Sequence, residues 1–140
     1  MTVKVVESQQ ELEDAYKVRK NVFVEEQHVP IEEEIDQFEQ DAVHFVMYHE
    51  DMPIGAGRFR IIDGIGKVER ICVLEESRKL GAGKAIMDSI ETYALKNGIQ
   101  KLKLNAQTHA IPFYEKIGFQ VVSDEFMDAG IPHKTMMKNV

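Results

Sequence analysis

Hydrophobic and β-branched residues form seven short stretches along the chain, several of them alternating with polar residues. Such stretches are typical of β-strands. The tight turn 63–66 (DGIG) joins two of them and predicts an antiparallel hairpin. The predicted strands are residues 2–6, 42–48, 54–62, 66–74, 100–106, 119–123 and 134–138.

Three other segments have the periodicity of helices. Ser8 followed by Glu11 fits a capping box, which predicts a helix start. Residues 82–96 predict a helix that faces the core and ends at a glycine turn. A short helix is predicted at 110–117, where Pro112 is tolerated in the first turn. One face of the first helix carries Leu12, Ala15, Tyr16, Arg19 and Phe23, and Ala82, Ile86, Ile90 and Ala94 repeat every four residues along the second. The pattern predicts one α+β domain over residues 1–140.

The composition narrows the class of protein. A chain of 140 residues with 44% hydrophobic residues can bury a core without metals or disulfides. The lone Cys72 cannot form an internal disulfide, and no apolar run is long enough for a membrane span or a signal peptide. A cytoplasmic protein with no membrane association is therefore expected. The net charge of −7 argues against general nucleic-acid binding.

Acidic residues are concentrated in one segment. Residues 25–41 contain eight carboxylates and no Lys or Arg. Such a segment can be a solvated loop with a short helix. It can also attract a cationic substrate electrostatically. Both interpretations stay open at this point, and the second predicts a cationic acceptor.

The segment RKLGAG, residues 78–83, lies between a predicted strand and the helix 82–96. Glycine-rich helix starts bind anions through free N–H groups and the helix dipole. A Walker A loop is excluded because Ala85 occupies the hydroxyl position, and a dinucleotide fingerprint is excluded because Ile86 replaces its third glycine. The pattern Arg/Gln-x-x-Gly-x-Gly/Ala, which binds pyrophosphate in acyl-CoA-dependent transferases, fits every specified position.

Two further features make the chain resemble the GNAT superfamily of acetyl-CoA-dependent N-acetyltransferases. The strand VERICV, 68–73, leads into the glycine loop, and AIPFYEKIGF, 110–119, is similar to the superfamily's A-x-x-F-Y-E-K-x-G-F signature. Residues 19–27 (RKNVFVEEQ) and 34–36 (EID) also resemble the smaller ElaA-like branch.

The resemblance implies a fold, a donor and a set of contacts. The fold is a three-layer α+β arrangement with a mixed, mostly antiparallel sheet of six to seven strands, flanked by about four helices and splayed between its two central strands. Acetyl-CoA is the implied co-substrate, and a homodimer is compatible with the resemblance. Backbone groups of Ile71, Cys72 and Val73 are expected to bind the pantetheine arm. The N–H groups expected to bind the pyrophosphate are those of Arg78, Gly81, Gly83 and Lys84, with added charge from the Arg78 and Lys79 side chains.

Two residues are candidates for contact with the reacting groups. The resemblance implies that Tyr114 is the general acid, which protonates the departing sulfur. The alternative is a tyrosine that only packs beside Phe113. Asn105 ends the strand after the glycine-loop helix, where its amide can bind pantetheine or substrate or simply terminate the strand.

The general base is left open. Glu69 lies on the strand before the loop, and its alternative is an ion pair with Arg70 or Arg58. His109 precedes the tyrosine helix and belongs to the residue type that titrates near neutral pH, but it can also cap that helix. Glu26 and His28 of the acidic segment are further candidates. Strand parity predicts that Glu69 and Arg70 point to opposite faces.

These residues predict an N-acetyltransferase that acts on a primary amine of a small molecule or peptide. The alternatives are a non-catalytic acyl-CoA-binding sensor or interaction module and, less favoured by the motifs, a nucleotide-binding protein. Cys72 has no neighbour that would stabilise a thiolate, which predicts a buried structural thiol. The five histidines share no metal-ligand spacing, so no metal is predicted.

Overall fold

A computed structural model describes residues 1–140 and contains one eight-stranded sheet. Its order is β1-β2-β3-β4-β5-β8-β6, and β7 also pairs with β8. Strands β4 and β5 run parallel, and all other neighbours run antiparallel. The strands are β1 Thr2–Val5, β2 Val43–His49, β3 Met52–Ile62, β4 Ile65–Val73, β5 Lys101–Gln107, β6 Gln120–Val121, β7 Phe126–Asp128 and β8 Ile131–Asn139.

Four α-helices flank the sheet, as expected. They are α1 Gln9–Arg19, α2 Ile31–Glu34, α3 Ala82–Lys96 and α4 Ile111–Lys116. The predicted helix start at Ser8 is confirmed, because the Glu11 N–H donates to Ser8 Oγ at 3.2 Å. The Glu11 carboxylate accepts from the Glu7 N–H at 2.8 Å and not from Ser8, so only the serine half of the capping box forms. Helix α1 continues as a π-helix over Lys20–Glu26, a form that is rare and often found at functional sites. No helix of the chain is long and apolar enough to cross a membrane.

The α+β class is confirmed, but the sheet has eight strands where the sequence predicts six to seven. The additional strand is β7, which forms a hairpin with an extended β8. Asp128 pairs with Ile131, and the two residues between them, Ala129 and Gly130, both have positive φ, 52° and 75°. That geometry suits a two-residue hairpin turn, which the sequence reading did not identify.

The sheet packs a hydrophobic core on each face. On the face covered by α3, Phe45, Phe59, Val68 and Leu102 pack against Ile86 and Ile90. On the face covered by α1, Val46, Ala56 and Cys72 pack against Ala15, Val18 and Val22. We refer to these as the α3 face and the α1 face of the sheet.

Candidate functional site

Strands β4 and β5 separate along their length. They pair from Gly66 with Leu102 to Val68 with Leu104, and no further. Residues 69–73 of β4 therefore have no partner on the side of β5. We call the space between the two diverging ends, 69–73 and 105–107, the β4–β5 opening. The expected splay of the two central strands is confirmed.

A β-bulge in β4 lies beside this opening. Arg58 pairs with Glu69 and Ala56 pairs with Cys72, so Arg70 and Ile71 together face Gly57 alone. Arg70 has a φ of 59°, which is uncommon for a residue with a long side chain. The bulge changes the strand parity, and the side chains of Glu69 and Arg70 both lie on the α1 face. The prediction that they point to opposite faces is wrong.

The guanidinium of Arg70 connects the bulge to α2. It donates to the carbonyl oxygens of Glu34 (3.3 Å) and Glu33 (3.2 Å) and forms ion pairs with Glu34 (3.1 Å) and Asp36 (3.2 Å). Positive φ at such a residue costs about 1–3 kcal/mol and persists only where the surroundings fix it. The four contacts of the Arg70 guanidinium fix this backbone conformation here.

The glycine loop leads into α3 in the predicted way. Gly81 has a φ of 77°, and no side chain caps the helix. The first helical N–H with a partner belongs to Ala85, which donates to the Gly81 carbonyl at 3.1 Å. The N–H groups of Gly83 and Lys84 therefore have no acceptor within the helix and can bind an anion.

The second glycine of the loop has a packing reason that the sequence reading missed. A Cβ at Gly83 would lie 3.2 Å from the ring of Phe113 in α4. Gly83 thus allows α4 to pack against the first turn of α3. This contact joins the helix that carries Tyr114 to the loop.

Arg78 differs from expectation in two ways. Its N–H donates to the Glu75 carbonyl at 3.3 Å, so it is not free for a pyrophosphate. Its guanidinium donates to both carboxylate oxygens of Glu26 at 2.7 and 2.8 Å and to the Val73 carbonyl at 3.0 Å. The Val73 oxygen, one of the backbone groups at 71–73 that were expected to bind pantetheine, therefore already accepts a hydrogen bond. The Lys79 side chain is exposed, and that of Lys84 pairs with Asp88 at 2.9 Å.

Tyr114 lies in the core on the α3 face and is 9% exposed. Its ring packs edge-on against Phe113, with centroids 5.0 Å apart, and against Phe119. Burial, with a smaller effect of the Cys72 thiol, raises the pKa of the Tyr114 hydroxyl. The hydroxyl is therefore protonated at neutral pH, and no protein group accepts its hydrogen bond.

At the end of β5, side chains form hydrogen bonds with three other segments of the chain. Gln107 Nε2 donates to Gln27 Oε1 at 2.8 Å, which joins β5 to the residue after the π-helix. Gln107 Oε1 lies 2.7 Å from His109 Nε2, which makes Nε2 the donor and, in the neutral ring, Nδ1 the acceptor. Asn105 Oδ1 accepts from Thr135 of β8 at 2.9 Å. Gln27 and Gln107 were not predicted, because only the folded chain brings them together.

The structure favours the ion-pair alternative for Glu69. Its carboxylate lies 3.1 Å from Arg58 and 2.7 Å from Arg60, but it does not pair with Arg70. Burial tends to raise the pKa of Glu69, but the hydrogen bond from Arg60 and the charge of Arg58 outweigh it and lower this pKa. The hydrogen bonds from Arg78 lower the pKa of Glu26 in the same way. Both carboxylates are weaker bases than their sequence positions suggested, whereas His109 and His28 have no carboxylate partner.

Arg58 and Glu69 belong to a larger cluster on the α1 face, which we call the arginine–carboxylate network. Arg19 binds Glu34 at 2.8 Å and Glu39 at 2.7 Å. Arg58 binds Asp36 at 2.8 Å and Glu39 at 2.9 Å. The network consists of Arg19, Arg58, Arg60 and Arg70 with Glu34, Asp36, Glu39 and Glu69.

The network changes the interpretation of the acidic segment. Four of its eight carboxylates, those of Glu26, Glu34, Asp36 and Glu39, are bound by arginines from elsewhere in the chain. The segment is therefore only partly a solvated loop, and much of its negative charge is neutralised. The inference of a cationic acceptor loses half of the charge on which it rested.

Acid is expected to destabilise the fold through this network. Burial tends to raise the pKa of Glu39, but the hydrogen bonds and charge of Arg19 outweigh it, and the pKa is lowered from 4.5 to about 2. A carboxylate with a lowered folded-state pKa stabilises the fold above its unfolded pKa, and this contribution is lost as the pH falls from about 4.5 to about 2. Asp36 and Glu69, whose pKa values are also lowered, act in the same direction, while Glu34, whose pKa burial raises, opposes them.

Urea unfolding at a series of pH values below 5 measures this effect. We expect the free energy of unfolding to fall with pH, and to fall less steeply in Glu39→Gln, which has no such proton to bind. An equal slope in the two proteins would contradict the assignment.

Two further predictions concern the thiol of Cys72 and possible metal ligands. Cys72 is buried on the α1 face, and burial raises its pKa to about 12, so the thiol stays protonated. No group of three or more His, Cys, Asp or Glu side chains is arranged to hold a metal ion.

The fold and the loop define an acetyltransferase. The family model of the acetyltransferase (GNAT) domain matches residues 5–140, and the chain therefore belongs to the GNAT acetyltransferase family. It is similar to the uncharacterized N-acetyltransferase YjcF of Bacillus subtilis, with 50% identity over 140 residues that cover 99% of this chain and 100% of YjcF. These findings identify the chain as an acyltransferase and confirm the resemblance stated from the sequence.

Solved structures agree with the fold. The crystal structure of a candidate N-acetyltransferase of Lactobacillus plantarum has a TM-score of 0.92 and 26% identity, over 99% of this chain and 97% of that one. Escherichia coli ElaA has a TM-score of 0.85 and 24% identity, covering 98% of each chain. A GNAT acetyltransferase of Elizabethkingia anophelis with acetyl-CoA bound has a TM-score of 0.79 and 14% identity, over 99% and 97% of the two chains. The last two show a shared fold, and membership of the ElaA-like branch stays a prediction.

Proposed function

We propose that this protein transfers an acetyl group from acetyl-CoA to a primary amine of a small molecule or peptide. The observation that carries the proposal is the uncapped start of α3, with free N–H groups at Gly83 and Lys84, beside the unpaired edge of β4. An anion site at one end and a row of unpaired backbone groups suit a long ligand with a pyrophosphate and an amide-containing arm. The Elizabethkingia anophelis protein, which shares this fold, binds acetyl-CoA.

In the proposed reaction the amine nitrogen attacks the thioester carbonyl carbon directly. Backbone N–H groups at the free β4 edge stabilise the oxyanion of the tetrahedral intermediate. The oxyanion re-forms the carbonyl as the C–S bond breaks, and the sulfur takes the proton of the Tyr114 hydroxyl. The nitrogen, which became positively charged on attack, gives up a second proton, and this proton returns to Tyr114 through water. The raised pKa of Tyr114 keeps that proton in place until it is needed.

The amine must lose a proton before it attacks. An alkylammonium with a pKa near 10.4 costs roughly 4–5 kcal/mol to deprotonate at pH 7. Of the candidate bases, His109 now has the best support, because its hydrogen bond to Gln107 leaves Nδ1 as the acceptor. Glu69 and Glu26 are held by arginines. Water that reaches His109 is the remaining route for the proton.

A thiol-release assay tests the proposal. Acetyl-CoA and, separately, longer acyl-CoAs are incubated with a panel of primary amines, and free CoA is measured. We expect release that depends on both the protein and the amine. Thermal stabilisation by acetyl-CoA without release from any amine would favour the non-catalytic sensor instead.

A further inference from the structure

Helix α1 does not cover the whole α1 face of the sheet. Helix α1 packs mainly on β2, β3 and part of β4. On β5, Leu102, Leu104 and Ala106 lie in the core of the α3 face. Because side chains alternate along a strand, Lys103 and Asn105 lie on the α1 face, where both are half-buried.

Three basic residues lie side by side on this face. Arg60 of β3 pairs in register with Lys67 of β4, and Lys67 pairs in register with Lys103 of β5. Neighbouring strands are about 4.8 Å apart, so the three side chains form a continuous row. Arg60 is bound to Glu69 at 2.7 Å. Lys67 and Lys103 are half-buried and have no ion-pair or hydrogen-bond partner.

Neither lysine has an ion-pair partner of its own. The four arginines of the arginine–carboxylate network are matched by its four carboxylates. The charge of Lys67 helps to lower the pKa of Glu69, but Arg58 and Arg60 already hold this carboxylate. A half-buried ammonium keeps only part of its hydration and can bind a further anion. An anion from outside the chain would complete the site.

The row lies next to the proposed reaction centre. The register pair of Lys67 with Lys103 directly precedes that of Val68 with Leu104, where the two strands separate. The bulge at Arg70 is three residues further, about 10 Å along the strand. A ligand whose amine enters the β4–β5 opening from the α1 face would therefore place its other end near the two lysines.

We infer that Lys67 and Lys103 bind an anionic group, a carboxylate or a phosphate, carried by the amine acceptor. The inference rests on the proposed function and specifies its substrate class as amines with an acidic group. It is opposite in sign to the cationic acceptor expected from the acidic segment, whose charge is partly neutralised within the fold.

Matched acceptors test the inference in the thiol-release assay. 6-Aminohexanoic acid, which is long enough to span the distance from the bulge to the lysines, is compared with 6-aminohexanamide, 6-aminohexyl phosphate with 6-aminohexan-1-ol, and a diamine of the same length serves as the cationic acceptor. The first two pairs separate carboxylate from phosphate. We expect the acidic member of at least one pair to have a kcat/KM about tenfold to a hundredfold higher, mainly through a lower KM, since hydrogen bonds to charged groups have this strength.

Variants assign the preference to the lysines. Lys67→Met and Lys103→Met should each lose most of the preference while the rate with the neutral amine stays the same. Lys96→Met is the control, since Lys96 is exposed at the last turn of α3 on the other face. Three outcomes would overturn this inference and leave the proposed function standing. They are equal rates for acidic and neutral amines, a higher rate for the diamine, and a preference for the acidic amine that is unchanged in both lysine variants. Absence of thiol release with every amine would overturn the proposed function and this inference with it.

Discussion

Replacing Tyr114 by Phe is expected to lower kcat for acetyl transfer about a hundredfold or more and to leave the KM for acetyl-CoA nearly unchanged. General acid catalysis typically contributes about 10²–10⁴-fold. The ring of Tyr114 packs against Phe113 and Phe119, and phenylalanine keeps that packing. Only the hydroxyl is lost, and no protein group depends on it for a hydrogen bond. The change therefore removes a proton donor without opening a cavity.

Tyr93→Phe is the matched control. Tyr93 lies on α3 in the same core, edge-on to Phe45 and Phe59 with centroids 5.8 Å from each. We expect this variant to retain full turnover, and both variants to melt close to the parent. Thiol release gives kcat, and calorimetric titration with CoA shows whether donor binding persists. Unchanged turnover in Tyr114→Phe would refute the general-acid role and support a tyrosine that serves packing alone.

The sequence predicted those helices and turns that are determined by residues close together in the chain. Helix α3 begins at Ala82 and ends at Lys96, as its four-residue repeat indicates, because one face of it is buried throughout. The capping box at Ser8 and the glycine loop before α3 are also local signals. Strand β6 is shorter and β8 longer than predicted, since the β7–β8 hairpin depends on an Ala-Gly turn that has no strong sequence signature.

The features that the sequence did not reveal depend on contacts between distant residues. The bulge at Arg70 exists because the register of β3 and β4 shifts by one residue, and nothing in the sequence VERICV marks the shift. The same holds for the hydrogen bond between Gln27 and Gln107, which are 80 residues apart. Glu69 was one of several candidate bases, with an ion pair to Arg70 or Arg58 as its alternative. The pair with Arg58 forms, and Arg60 binds the same carboxylate, a contact that depends on the pairing of β3 with β4.

Replacing Arg58 by Met is expected to reduce the free energy of unfolding by about 3–5 kcal/mol, since this is the usual cost of removing one partner from a buried ion pair. The Arg58 side chain is 1% exposed and touches three carboxylates, those of Asp36, Glu39 and Glu69, at 2.8, 2.9 and 3.1 Å. Methionine fills part of the volume, but it leaves these carboxylates with fewer donors. Urea or guanidinium unfolding at pH 7 measures the effect.

Lys84→Met provides the comparison for an exposed ion pair. Lys84 and Asp88 are 2.9 Å apart on the surface of α3, and their side chains are 63% and 59% exposed. Pairs of this kind are worth about 0.5 kcal/mol or less. A cost for Arg58→Met no larger than that of Lys84→Met would show that the network is solvated in solution and would contradict its buried geometry.

The same variant also tests whether the network positions the site. Asp36 connects Arg58 to Arg70, and Arg70 holds the strained bulge at the edge of the β4–β5 opening. Loss of Arg58 should therefore disturb the bulge as well as the stability. We expect Arg58→Met, measured below its melting temperature, to lower kcat more than it raises the KM for acetyl-CoA, because the proposed pyrophosphate site at the start of α3 lies away from the bulge. A folded variant with full kcat would show that the network stabilises the acidic segment without positioning the bulge.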